Sequence, residues 1–268
     1  MKKQLIVSLF IAFSLSSLGQ EADSTQLVNE VPKTPLPTHE MTEIWEPEVA
    51  IITPGENYGD PPSDAIILFD GTDLSKEWIG TRRDTTPRWK VEDGAMTVVP
   101  RTGDIKTKRK FGDCQLHIEW RTPAEVADTS QGRGNSGVFL QERYEVQVLD
   151  SYNNRTYRNG QAGSVYKQYA PMVNVCKKPG EWQTYDIIYN APVFNKDGTY
   201  LVPPRMTVIQ NGVVVLNAVN LRGKTDWIWI PEYNYDVHGK ASIVLQEHSN
   251  PVSYRNIWIR ELKINKKT

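Results

Sequence analysis

The chain has 268 residues, with 31 Lys plus Arg against 32 Asp plus Glu and a formal net charge of -1. No basic stripe accompanies that balance beyond the scattered cluster Lys106, Lys108, Arg109 and Lys110, so nucleic acid is not an expected partner. The two cysteines, Cys114 and Cys176, read as two small buried side chains, with a single bridge in an oxidising compartment as the alternative.

Met1-Lys2-Lys3 opens the chain, an apolar run follows from Leu5 to Leu15, and the small residues Ser17 and Gly19 precede Gln20. A basic start, a short apolar core and a small-residue cleavage site predict a secretory signal peptide over 1–19, and hence export to the periplasm or beyond the cell. The run is shorter than the ~20 apolar residues that a spanning helix needs, so no transmembrane segment is expected. No cysteine stands near the cleavage site to carry a lipid. Over 20–62, Pro32, Pro35, Pro37, Pro47 and Pro54 interrupt any periodicity, which predicts an extended linker or a segment draped over the domain. Residues 63–268 suit one all-β domain, long enough to bury a core without staples.

Inside that stretch, short runs of apolar/polar alternation are separated by Gly, Asn, Asp and Pro. They are Ala65 to Leu68, Trp89 to Val98, Gln115 to Arg121, Ser136 to Gln141, Tyr144 to Leu149, Trp182 to Tyr189, Arg205 to Ile209, Val213 to Val219, Ser242 to Glu247 and Ile257 to Ile264. Long helical spacing is absent, so the expected fold is a sandwich or barrel of many short strands. Asn211-Gly212 is the strongest hairpin signal, and Glu92-Asp93-Gly94 marks a second turn of that kind.

Alternation also assigns faces. In Gln115 to Arg121, Leu116, Ile118 and Trp120 share the core side, leaving His117, Glu119 and Arg121 on the other. In Tyr144 to Val148 the apolar residues again take one side, and Glu145 and Gln147 the opposite one. Gln246 and His248 lie away from Ile243 and Leu245. These groups are ordinary solvated residues on one reading. On the other, short directional groups such as His, Glu, Gln and Asn, with few lysines, suit a ligand rich in hydroxyls.

Six strings stand in a distinctive order: Leu68-Phe69-Asp70-Gly71-Thr72-Asp73-Leu74 followed by Trp78; Trp89 to Gly94; Gly134-Asn135-Ser136-Gly137-Val138-Phe139; Tyr144 to Asp150; Gly180 to Asp186; and Tyr254 to Leu262. In that order they resemble the 3-keto-disaccharide hydrolase domain family, over essentially all of 63–263. The resemblance implies a concanavalin A-like lectin/glucanase jelly roll of two antiparallel sheets. It also implies an exported enzyme acting on glycosides oxidised at C3 of the glucosyl ring, with the sugar in the concave sheet.

A ketone at C3 acidifies the C2 proton, so a base removes it, the group on C1 leaves by β-elimination, and water adds afterwards. Such a site needs a base, donors or a cation for the oxyanion, and an acid for the leaving group. The expected catalytic residues are Glu145, His248, Glu119 and Asp150, with His248 the preferred base. Arg133, Asn135, Gln147, Gln246, Tyr166 and Arg255 are the expected substrate contacts, with Arg255 also able to clamp a buried acid. Glu145 and His117 are the expected ligands should a divalent metal ion take part. Where glucanases of this fold look like Glu-x-Asp-x-x-Glu, this chain has Glu145, Gln147 and Asp150, which departs from the ordinary retaining pair.

Tyr152, Tyr157, Tyr166 and Tyr169 are candidates to stack on a sugar, whereas Trp89, Trp120 and Trp258 fall in core-like alternation. The run Asp226 to Pro231 looks like an insertion or flap without a role. Two other functions are open: a conventional glycosidase and a non-catalytic carbohydrate-binding module.

Overall fold

The computed structural model describes residues 36–228 and 237–262. The predicted leader at 1–19, the start of the Pro-rich segment and the end of the Asp226 to Pro231 run lie outside the described residues. By contacts the chain divides into Met1–Ala50 and Ile51–Thr268. The described part of the first unit is exposed and holds one 3₁₀ turn, His39–Thr42.

The second unit carries the strands: β1 (Ile66–Phe69), β2 (Trp78–Gly80), β3 (Lys90–Glu92), β4 (Ala95–Thr97), β5 (Ile105–Thr107), β6 (Cys114–Arg121), β7 (Ser136–Leu140), β8 (Tyr144–Val148), β9 (Gln183–Asn190), β10 (Val193–Phe194), β11 (Tyr200–Val202), β12 (Arg205–Gln210), β13 (Val213–Asn220), β14 (Val244–Leu245) and β15 (Ser253–Glu261). One antiparallel sheet has the order β13-β12-β9-β6-β15-β4-β3, with β1 also paired to β15. A second has the order β2-β5-β14-β7-β8, and β10 pairs with β11 apart from both. No α-helix occurs among the described residues, and none of their helical segments is long and apolar enough to cross a membrane. The architecture is an all-β jelly-roll sandwich.

The core lies between the two sheets because one side of each pleat is apolar. Leu116, Ile118 and Trp120 of β6, Tyr185 and Ile187 of β9 and Ile259 of β15 are fully buried, as are Val138, Val146 and Val148 of the opposing sheet. Asn211 and Gly212 both take positive φ, 51° and 79°, which is the backbone a two-residue hairpin between β12 and β13 requires. Asp93 and Gly94, at 51° and 73°, do the same between β3 and β4.

Buried tyrosines tie the sheets together. Tyr185 on β9 donates its hydroxyl to the Gln147 carbonyl at 2.7 Å, and Tyr254 on β15 donates to Ser136 Oγ at 2.6 Å. Each hydroxyl thereby keeps a partner in a dry interior. Each also fixes a strand, β8 or β7, whose far face forms the candidate site.

Two expectations are corrected here. Trp258 is buried but not between the sheets; it stacks on His117 on the outer face of the larger sheet, rings 5.1 Å apart. The strand expected over Ser242 to Glu247 shortens to β14, because Glu247 N turns to Asp104 Oδ1 at 2.8 Å and leaves the ladder. Cys114 and Cys176 are unpaired thiols, the first buried and the second half-buried, in line with the unbridged reading.

Candidate active site

On β7 and β8 the residues that do not point into the core face a hollow of about 170 Å³. That is below the ~300 Å³ lower end of drug-sized pockets, so it takes one ring rather than a chain of them. Asn135, Phe139, Glu145, Gln147, Tyr166, Thr225, Trp227, Gln246 and His248 line it.

Its walls are loops held by backbone bonds to the strands. Beyond β8, Gln147 N donates to Ser164 O at 3.0 Å and Tyr166 N to Glu145 O at 3.3 Å, which extends the ladder and delivers Tyr166. Glu145 N donates to Thr225 Oγ1 at 3.0 Å, which anchors the segment carrying Trp227. Across the sheet, Gln246 N donates to Gly137 O at 3.0 Å, and the chain then turns to place His248 on the rim.

The floor is polar and buried. Gln147 Nε2 donates to Asn135 Oδ1 at 3.0 Å, and Asn135 Nδ2 donates to Gln131 O at 2.6 Å. Gln147 Oε1 has no hydrogen-bond partner among the described residues, although Gln147 is fully buried. An acceptor in that position suits a ligand hydroxyl. Glu145 is 4 % exposed. Burial, and then the nearby charge of Asp104, push its carboxyl up to about 8. It therefore carries a proton at neutral pH, in the same hollow as the His248 imidazole.

Six of the expected residues thus come together: Glu145, His248, Asn135, Gln147, Gln246 and Tyr166. Tyr157 supports Tyr166, their hydroxyls lying 2.6 Å apart. Residues that sequence reasoning did not single out are Asp104, Phe139, Thr225 and, as a wall, Trp227. Asp104 is a lone acid in a loop before β5, and no motif announces it.

Arg133 and Asp150 lie outside this hollow. Arg133 Nε donates to Asp150 Oδ2 at 2.6 Å, and the two line a neighbouring depression. With that bond, and a further one accepted from Tyr152 N at 3.1 Å, Asp150 anchors its loop outside the hollow that holds Glu145 and His248.

Glu119, His117 and Arg255 are farther removed. β6 and β15 belong to the larger sheet, so their non-core residues face away from the hollow on the smaller one. His117 Nδ1 lies 2.7 Å from Asp186 Oδ1, while Asn256 and Trp258 hold the Gly59 carbonyl at 2.9 and 2.8 Å beside it. Arg255 Nε donates to Glu119 Oε2 at 2.6 Å and its guanidinium lies over the Trp182 ring. The clamp reading of Arg255 describes its geometry, and the substrate-contact reading does not. Glu119 does not converge with Glu145 and His248.

The expected metal pair fails on the same ground, because Glu145 and His117 stand on the outward faces of different sheets. Among the described residues no group of three or more His, Cys, Asp or Glu is arranged to hold an ion.

The profile of the 3-keto-alpha-glucoside-1,2-lyase-like domain matches residues 64–260. The chain belongs to this family. Among solved structures, it is 53 % identical to a protein from Parabacteroides distasonis ATCC 8503 proposed to be a glycosyl hydrolase, over 84 % of this chain and 97 % of that one, with a TM-score of 0.78. Two more proteins of that organism with the same proposed role are 21 % and 23 % identical, over 75 % and 74 % of this chain and 94 % and 99 % of theirs. Their TM-scores of 0.55 and 0.53 show a shared fold. No curated protein matches. These findings identify a carbohydrate-active, glycosyl hydrolase-like protein of this family.

Proposed function

We propose that the chain is an exported hydrolase of 3-keto-glycosides that works by elimination followed by hydration. The supporting observation is one buried carboxyl, Glu145, held in its acid form beside an imidazole in a hollow sized for one ring. Export rests on the predicted leader at 1–19.

His248 takes the C2 proton, which the neighbouring ketone has made acidic, and the electron pair becomes an enediolate. The Gln246 amide donates to the charged oxygens, while Gln147 Oε1 accepts from a ring hydroxyl and Asn135 fixes that amide's orientation. As the C1–O bond breaks, Glu145 gives its proton to the departing oxygen, and the alcohol leaves. Water then adds across C1=C2: Glu145, now a carboxylate, takes its proton as the oxygen joins C1, and protonated His248 returns a proton to C2. Both groups end as they began, so the net change is hydrolysis.

No step is assigned to a cation. A conventional glycosidase needs two carboxylates about 5 to 9.5 Å apart across the scissile bond, whereas Glu145 is the one carboxylate lining the hollow among the described residues.

The test is release of a chromogenic alcohol from a 3-keto-glucoside and from the matching unoxidised glucoside, each with and without chelator. Turnover of the keto substrate alone is expected. Cleavage of the unoxidised glucoside at an equal rate, or binding of both without release under any metal condition, overturns the proposal.

A further inference from the structure

Beside the hollow lies a second depression of about 260 Å³, containing the Arg133–Asp150 pair and otherwise without assignment. Its position follows from the chain. Asn135 lines the first and Gly134 the second; His248 lines the first and Ser249 the second. On two independent loops the rims are therefore one residue apart, about 3.8 Å between Cα atoms. Asn250 joins those loops, accepting from Gly134 N on Oδ1 at 2.9 Å and donating from Nδ2 to His248 O at 2.9 Å. The two depressions share a wall that ends at the proposed base.

The geometry points to the second depression as the subsite for the leaving alcohol, and to a flat apolar alcohol, such as a phenol, as the class it takes. This rests on the 3-keto-glycoside reading of the first hollow. A group departing from C1 of a ring seated against Glu145 and His248 needs space outside a hollow that fits only that ring, and the depression adjoins it. Pro123, Val126, Ala127 and Pro251 supply apolar walls. Both ends of the Asn250 amide and the Asp150 carboxylate are already engaged, and Glu125, Thr122 and Ser249 complete the rim. Among the described residues no aromatic ring lines the depression to stack on a second pyranose. Without a ring to stack on, a second sugar gains little from the apolar walls, whereas a phenol gains by covering them.

The experiment measures kcat/KM of the full chain on the 4-nitrophenyl and the methyl 3-keto-glucoside. Val126 is 47 % exposed, so V126D places a charge in the apolar wall without disturbing the core. The aryl-to-methyl ratio is expected to fall about tenfold in V126D and again in A127W, which fills the space. In the unaltered protein, free 4-nitrophenol is expected to inhibit competitively while methanol does not. An unchanged ratio in both variants, or no inhibition by the phenol, overturns the subsite. Failure of the unaltered protein to cleave either glycoside is a separate result, visible before any variant is made; it removes the reaction and the subsite with it.

Discussion

Glu145 Oε1 occupies the space that a side chain at residue 137 would need: a Cβ built on Gly137 would approach it to 2.5 Å. Gly137 lies within β7 without a positive φ, so its backbone accepts alanine and the conflict is purely with the carboxyl and with the Phe139 ring edge at 2.9 Å. Gly137→Ala should therefore move the proposed acid by part of an ångström and leave the sandwich folded. Displacements of about 1 Å cost on the order of 100-fold in rate. A fall of ten- to a hundredfold in kcat with a small change in melting temperature is the expected outcome. An unchanged kcat would mean that the Glu145 carboxyl is not where the chemistry happens.

The acid form of Glu145 predicts a pH signature of its own. Its carboxyl is raised in the folded chain from 4.5 to about 8. The folded state then holds a proton that the unfolded state releases above 4.5, so stability falls as pH rises from about 4.5 through about 8. Glu145→Gln should remove that dependence, raise the alkaline melting temperature and abolish turnover. In the unaltered protein kcat/KM should also decline above pH 8, where the proton for the leaving group is lost. A variant that melts far lower at every pH would identify Glu145 as a structural residue.

Gln147 joins structure to recognition, and the two roles can be separated. Gln147→Leu removes the donor to Asn135 Oδ1 and the free acceptor Oε1 together. Leaving a buried acceptor unpaired costs about 1 to 3 kcal/mol, readable by chemical denaturation. Gln147→Asn retains the amide but shortens its reach, so KM should rise more than kcat falls. Equal effects of the two substitutions on KM would show that the hydroxyl contact is not made by this group.

His248 is the proposed base. His248→Ala should cost about 100- to 10,000-fold in kcat/KM. Because His248 is exposed on the rim, its loss should leave the melting temperature nearly unchanged. A folded variant that keeps kcat/KM would exclude His248 and turn attention to Asp104.

Much of this was legible before the coordinates, and the missing part has a definite physical origin. Alternation placed Glu145, Gln147, His117 and Glu119 on the non-core side of their strands, and each is there. The pleat says which side of its own sheet a residue takes, but not which sheet the strand joins. β6 and β8 carry the same pattern, and only the pairing of β6 with β9 and β15, against β8 with β7, sends Glu119 and Glu145 to opposite surfaces. Asp104 escaped for another reason. Its influence on Glu145 depends on a loop folded back through the Glu247 amide, a contact 143 residues away in the chain.

The residues that left the site make a prediction of their own. His117 is fully buried under Gly59 and Trp258. Burial alone would lower its pKa, but the hydrogen-bonded Asp186 carboxylate and Glu119, 4.0 Å from Nε2, raise it to about 9. Burial likewise opposes ionisation of Glu119, yet His117, Asn256 and Arg255 bring it down to about 2. By linkage, the His117 contribution is complete below about 6.5 and fades as pH rises through about 9. That of Glu119 is complete above about 4.5 and is lost as pH falls through about 2. His117→Ala leaves Asp186 without its cation and Glu119 with Arg255 alone, at a cost of about 3 kcal/mol near neutrality. The alkaline decline in stability between pH 6.5 and 9 should shrink to the part due to Glu145. Tyr58 donates to Asp186 Oδ2 at 2.7 Å from the same covering segment, so Tyr58→Phe should reproduce a fraction of that loss. Since this cluster faces away from the β7–β8 hollow, both variants should retain kcat on the keto substrate at temperatures where they are folded. A large loss of kcat in folded His117→Ala would return Glu119 and His117 to the list of catalytic candidates.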